Sequence, residues 1–271
     1  MNSSTIKSIL MMGIITTSGL ILNITEIQAK TQTQTPVQSG QTELIANGKI
    51  NGVFDNNFKP NQKASNNNII AIDNNKEAEK YLTMGTKYYK SKEYQKAIES
   101  CTKAIELKPD YHEAYFVRGF IYYLELKEYK KALADFSKVI ELKPNLAQPY
   151  FSRGGIYVQL KEYKKALADF SKVIELNSND HASYFIRGNI YLELKEYQKA
   201  IADFNKVIEL KPDSAEAYLF RGGLYALLKD YQKGAADAQK ASQLFEQQKN
   251  PVGYQKAQQL LKLIAKFQKT N

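Results

Sequence analysis

A beat of 34 residues runs through the middle of this chain. Gly85, Gly119, Gly154, Gly188 and Gly222 stand 34, 35, 34 and 34 residues apart. Tyr94, Tyr129, Tyr163, Tyr197 and Tyr231 keep the same step, each three residues ahead of Ala97, Ala132, Ala166, Ala200 or Gly234. Pro109, Pro144 and Pro212 close the first, second and fourth units. Five units result: 78–111, 112–146, 147–180, 181–214 and 215–248. A phase held over 171 residues points to an array of small, similar elements. Each element then buries its apolar face on its neighbours rather than in a shared central core.

Every unit holds two helix patterns. In the third, Tyr150, Gly154, Tyr157 and Val158 share one side, and Lys161-Glu162 turns the chain. Tyr163, Ala166, Leu167, Phe170, Val173 and Ile174 then continue at spacings of three and four, the period of a helix with one buried face. Small residues at the Gly85 and Ala97 type positions let two helices approach closely. Acidic or amide residues precede Glu or Gln by three at Asp110/Glu113, Asn145/Gln148 and Asp213/Glu216, which predicts capping boxes at these helix starts. Asn179 is followed at the same distance by Ala182, and Asn177-Ser178 lacks the proline. The junction between units three and four is therefore expected to be the softest.

Two further columns vary together. Arg118, Arg153, Arg187 and Arg221 occupy one first-helix position in the last four units. Asp135, Asp169, Asp203 and Asp237 occupy the matching second-helix position. The first unit has neither, with Met84 and Ser100 in their places. Joint appearance and joint loss predict structural ion pairs between the two helices of a unit. The alternative is an arginine row facing an anionic ligand.

The pattern resembles the tetratricopeptide repeat family. In the second unit its signature positions read Tyr115, Gly119, Tyr122, Ala132, Phe136, Val139 and Pro144, the last four displaced by an extra residue placed near Tyr122-Tyr123. The resemblance implies an all-α fold, a right-handed α-solenoid of helix hairpins with a concave groove that holds peptides or protein segments. It also implies that first-helix positions line that groove. Carried over by register, the candidates are Leu82, Tyr89, Phe116, Phe120, Tyr123, Phe151, Phe185, Asn189 and Leu219. Members that clamp a terminal carboxylate carry Lys, Arg and Asn there; here the positions are mostly aromatic, aliphatic or small. Such a wall suits an extended or helical segment with apolar anchors, and basic flanks could meet Glu79, Glu113 and Glu216.

Beyond the units, Pro251 opens one more helix pattern over 251–269, with Ala257, Leu260, Leu261, Ile264 and Phe267 on one face. It reads as the lid that the end of an array requires. Lys256, Lys262, Lys266 and Lys269 lie off that face. They either solvate the outer side or touch anionic lipid or an acidic subunit, the second reading making the chain a membrane-associated assembly factor. Half of the net charge of +10 sits in the last 23 residues, so the body lacks the basic stripe of a nucleic-acid binder.

At the other end, Lys7 and the uncharged run Ile9–Ile24 read as an export signal over 1–29, with cleavage after Ala29 or retention as an anchor. Residues 30–76 are expected to form a disordered Asn/Gln/Thr-rich tether; 19 of the 39 residues in 30–68 are Asn, Gln, Ser or Thr. These features place the protein in a periplasm-like compartment or outside the cell. One cysteine and two histidines argue against a disulfide framework or a metal centre. No phosphate-binding loop, dinucleotide fingerprint or paired-histidine motif occurs. Together these readings predict a non-enzymatic scaffold without cofactor that binds a protein or peptide partner.

Overall fold

The computed structural model describes residues 66–270. The expected export signal at 1–29 and most of the expected tether lie outside the described residues. Those described form eleven α-helices and no strand. They are α1 (Asn66–Lys90), α2 (Tyr94–Leu107), α3 (His112–Leu124), α4 (Tyr129–Leu142), α5 (Ala147–Gln159), α6 (Tyr163–Leu176), α7 (His181–Glu193), α8 (Tyr197–Leu210), α9 (Ala215–Leu227), α10 (Tyr231–Gln247) and α11 (Pro251–Thr270). Consecutive helices pack as hairpins. The chain divides into two compact units, one ending at Tyr157 and the other starting at Val158.

In the first unit, α1 packs on α2, α2 on α3 and α3 on α4, while the two first helices α1 and α3 touch directly. Its core joins Leu82, Ala97, Ile98, Cys101, Ala104, Ala114, Val117 and Ile121. In the second unit the same order runs from α6 to α11, and α9 touches α11. Phe204, Leu224, Phe245, Leu260 and Ile264 anchor its core. Small residues set the hairpin spacing. A β-carbon on Gly222 would lie 3.0 Å from the Gly234 carbonyl oxygen and 3.0 Å from the Asp237 β-carbon, so nothing larger than glycine fits between α9 and α10.

The structure departs from the sequence reading in three places. First, α1 begins at Asn66, so residues 66–76, expected in the tether, are helical. Second, the capping boxes do not form. Tyr111 and Ser214 stand immediately before α3 and α9, without a side-chain cap, and leave Asp110 and Asp213 one residue too early. Side-chain caps occur instead at Asp230, which accepts from the Lys233 amide at 3.2 Å, and Asn250, which accepts from the Gly253 amide at 2.9 Å. Third, the extra residue of the second unit enters the turn. Helix α3 has 13 residues, as α5, α7 and α9 do, and its following turn holds four residues where the others hold three. Tyr122 and Tyr123 therefore stay in register with Tyr191 and Leu192.

Each hairpin turn puts a lysine where glycine is the usual choice. Lys92, Lys127, Lys161, Lys195 and Lys229 have φ between 56° and 66°. Around Lys195 the Lys195 amide donates to Leu192 O (2.9 Å) and the Glu196 amide to Tyr191 O (2.8 Å), the paired bonds of a Schellman helix end. A left-handed residue with a β-carbon costs about 1–2 kcal/mol, and glycine returns about 0.5–1 kcal/mol of that through its freedom in the unfolded chain. Replacing all five lysines by glycine should then stabilise the protein by roughly 2.5–5 kcal/mol, read as a higher urea midpoint. An unchanged or lower midpoint would show that these lysine side chains contribute as much as the strain removes.

Candidate functional site

The first helices carry the candidate wall because their 3.6-residue period brings positions 5, 9 and 12 of a repeat to one side. The nine residues nominated from register separate by burial. Leu82, Tyr123, Phe151, Asn189 and Leu219 are buried. Their side chains take part in packing within the array. Tyr123, for example, sets its hydroxyl against Gly155, where a β-carbon would lie only 2.8 Å away. Tyr89, Phe116, Phe120 and Phe185 remain half-buried.

Three of these four fall in the first unit and touch in series. The Tyr89 ring meets Phe120 edge to face at 6.2 Å, and Phe120 stacks on Phe116 at 6.3 Å. Phe116 rests on the fully buried Phe136 at 5.7 Å. The wall is therefore supported from behind by the second helix α4. In the second unit Phe185 lies 5.7 Å from both Phe204 and Phe220, so its ring is mostly engaged in packing. Asn189, one turn on, is 3% exposed. Its amide donates to Phe185 O at 2.8 Å, while its Oδ1 finds no partner.

On the other side of the first helices runs the arginine column. Arg118 Nε and Nη2 donate to the two Asp135 oxygens at 2.9 and 2.8 Å. Arg187 does the same to Asp203 at 2.8 and 2.7 Å, and Arg221 to Asp237 at 2.7 Å twice. Burial pushes the Asp135 and Asp203 carboxyls above the ordinary carboxylate range, outweighing the pull of their arginines. The remaining guanidinium nitrogen reaches back to the preceding repeat. Arg118 Nη1 donates to Thr102 Oγ1 (3.0 Å), Arg153 Nη1 to Ser137 Oγ (3.1 Å), Arg187 Nη1 to Ser171 Oγ (3.0 Å) and Arg221 Nη1 to Asn205 Oδ1 (2.7 Å). Arg118, Arg187 and Arg221 thus tie two helices of one repeat to a helix of the repeat before. Sequence reading missed the acceptors because their residue type changes, although their 16-residue offset does not.

Each arginine also lies over the tyrosine three residues earlier, at 5.5 to 5.8 Å for Tyr115, Tyr150, Tyr184 and Tyr218. With their charges met by carboxylates and rings, Arg118, Arg187 and Arg221 do not form an open anion site. The histidines, read as exposed helix starts, are half-buried. His112 pairs with Glu113 at 2.9 Å. His181 keeps its Nε2 buried without a partner, and burial and Lys211 push its pKa below the ordinary value. Cys101 is fully buried against Gly85, and burial raises its thiol to about 12. Among the described residues no group of three His, Cys, Asp or Glu side chains is placed to hold a metal ion.

Tetratricopeptide repeat profiles match residues 78–111, 112–146, 147–180 and 181–214, just over half of the chain. The chain belongs to the tetratricopeptide repeat family. No curated protein matches it by sequence. Solved tetratricopeptide repeat structures resemble it. The crystal structure of YrrB, described as a TPR protein with an unusual peptide-binding site, is 27% identical with a TM-score of 0.57, covering 64% of this chain and 90% of its own. A crystal structure of MamA is 23% identical, TM-score 0.59, covering 62% and 92%. A tetratricopeptide repeat protein from Parabacteroides merdae ATCC 43184 is 19% identical, TM-score 0.61, covering 70% and 75%. The last two similarities speak for the fold alone. Beyond the matched residues, α9 and α10 form a further hairpin that carries the bidentate Arg221–Asp237 pair.

Proposed function

We propose that the protein is a non-catalytic scaffold that binds a segment of a partner protein on the aromatic wall of its first helices. The observation that carries this reading is the Tyr89–Phe120–Phe116 series. Three large half-buried rings touch in series across two successive first helices, and the fully buried Phe136 behind Phe116 supports them. Rigid aromatic surface of this kind contributes binding energy at small entropic cost. The peptide site named for YrrB, the relative at 27% identity, supports the same use of the fold. The export signal expected at residues 1–29 would place the meeting with the partner outside the cytoplasm.

Pull-down from the native host with a Tyr89→Ala/Phe120→Ala double variant tests the wall. The account expects the partner retained by the wild type to be lost about 10- to 100-fold, the size of one or two interface hot spots. Circular dichroism should show unchanged helix content. Full retention would place the binding surface elsewhere.

No helix among the described residues is long and apolar enough to cross a membrane. The apolar face of α11 is occupied: Ala257, Leu260 and Ile264 are fully buried against the array. Its exposed lysines Lys262 and Lys269 serve as the polar cover of an array end.

A further inference from the structure

We infer that Tyr89, Tyr94, Phe120 and Glu125 form a receptor for an arginine side chain carried by the bound segment; this rests on the wall reading above and specifies its ligand.

The receptor originates in the one irregularity of the array. Helix α3 ends at Leu124, and the extra residue of its repeat lengthens the turn that follows. Glu125 heads that turn in helical conformation, with φ −93° and ψ −44°. The Glu125 and Leu126 amides both donate to Ile121 O, at 3.1 and 3.2 Å, and the Glu128 amide to Tyr122 O at 2.8 Å. The turn is thereby fixed with Glu125 reaching towards the preceding repeat. Its Oε1 accepts from the Tyr89 hydroxyl at 3.4 Å. The Tyr89 ring in turn has Tyr94 at 6.1 Å, tilted by 44°, and Phe120 at 6.2 Å, tilted by 78°. Two tyrosines, Tyr89 and Tyr94, therefore face one carboxylate, and Phe120 packs edge to face on Tyr89, so the cluster joins helices of two successive repeats. Burial and Glu125 raise the Tyr89 phenol to about 12, so it remains a neutral hydrogen-bond donor.

Among the described residues, the cluster holds no cation of its own. At the starts of several second helices the protein sets a lysine over a tyrosine and beside an acid. Lys96 lies over Tyr88, Lys131 over Tyr122, Lys199 over Tyr191 and Lys233 over Tyr225, at 5.1 to 5.5 Å. The turn acids Glu93, Glu128, Glu196 and Asp230 each pair with a lysine three residues on. Among the described residues, no Lys or Arg lies over Tyr89, Tyr94 or Phe120, and none pairs with Glu125. Glu125 is exposed, and Tyr94 and Phe120 are half-buried. An arginine side chain satisfies all of this at once. Its planar guanidinium stacks on rings and donates two parallel bonds to a carboxylate. A lysine ammonium offers neither the plane nor the fork.

The test uses the full chain and two pentapeptides, acetyl-Ala-Ala-Arg-Ala-Ala-amide and its citrulline counterpart, which keeps the shape and removes the charge. Ring-proton NMR of Tyr89, Tyr94 and Phe120 is followed on titration. The arginine peptide should give saturable shifts at all three rings and bind at least about five-fold tighter than the citrulline peptide, the scale of a cation–ring contact. Glu125→Gln should remove most of that preference and leave the citrulline peptide unaffected. Equal binding of the two peptides, or a Glu125→Gln variant that keeps the preference, overturns the arginine receptor while leaving the wall reading in place. Absence of saturable shifts with either peptide overturns the receptor, and the Tyr89→Ala/Phe120→Ala pull-down then decides the wall on its own.

Discussion

Asp203→Ala should destabilise the protein by about 3 kcal/mol or more, whereas Arg187→Met/Asp203→Leu should stay within about 1 kcal/mol of wild type. The single substitution leaves a guanidinium whose side chain is only 18% exposed without its carboxylate, bonded to Ser171 alone. The double substitution removes both desolvated groups and fills the space with apolar atoms. The position of the Asp203 carboxyl, held above its ordinary range by burial despite two bonds from Arg187, indicates that desolvation outweighs pairing at this carboxyl. It also sets the sign of the pH dependence. A carboxyl with a raised folded-state pKa contributes most below its unfolded value, about 4, and that contribution is lost as pH rises through the folded value. This pair therefore does not drive unfolding in acid. Urea melts of the three proteins at neutral pH check the energetics. A single variant as stable as wild type, or a double variant that loses as much as the single, would contradict this account.

Removal of α11 by truncation after Asn250 should cost on the order of 5 kcal/mol and make the protein self-associate. Leu260 and Ile264 are fully buried, each worth about 1.5–3 kcal/mol. Phe267 stacks on Tyr231 at 6.2 Å, and Gly253 fits against the Phe245 ring. The helix also continues the repeat bonding. Gln258 Nε2 donates to Ser242 Oγ at 2.8 Å with the same 16-residue offset as the arginine bonds. α11 thus continues the bonding pattern of a first helix, with a glutamine in the place of the arginine. Truncation uncovers Leu244 and Phe245 on α10, which are otherwise buried. Light scattering and thermal melting measure both effects; a truncated chain that stays monomeric with an unchanged melting temperature would show that α11 is not the lid.

The hairpin architecture was legible because it depends on spacing, and spacing survives substitution. Glycine, tyrosine and alanine at fixed intervals state where helices cross, whatever surrounds them. Helix starts were read less well. Asp110 and Asp213 have the right chemistry for a cap, but the chain enters the helix one residue later, and the local path rather than the residue type decides which side chain reaches the free amides. The left-handed lysines were invisible, since sequence alone gives no reason for a β-carbon where glycine fits. The start of α1 was missed because its Asn-rich residues have the composition of a tether. For the site, register nominated nine positions but could not rank them. How far an inward residue is buried depends on its neighbours: Phe116 and Phe185 stay half-buried against two rings each, while Asn189, one turn on from Phe185, is buried.

The claim that first helices present the binding surface has one direct measurement. A photo-crosslinking amino acid placed at Phe120 in the protein, and separately at Lys138 on the second helix α4, is irradiated in the native host. The account predicts a discrete adduct with one partner protein from position 120 and none from position 138. An adduct from position 138 alone would contradict it.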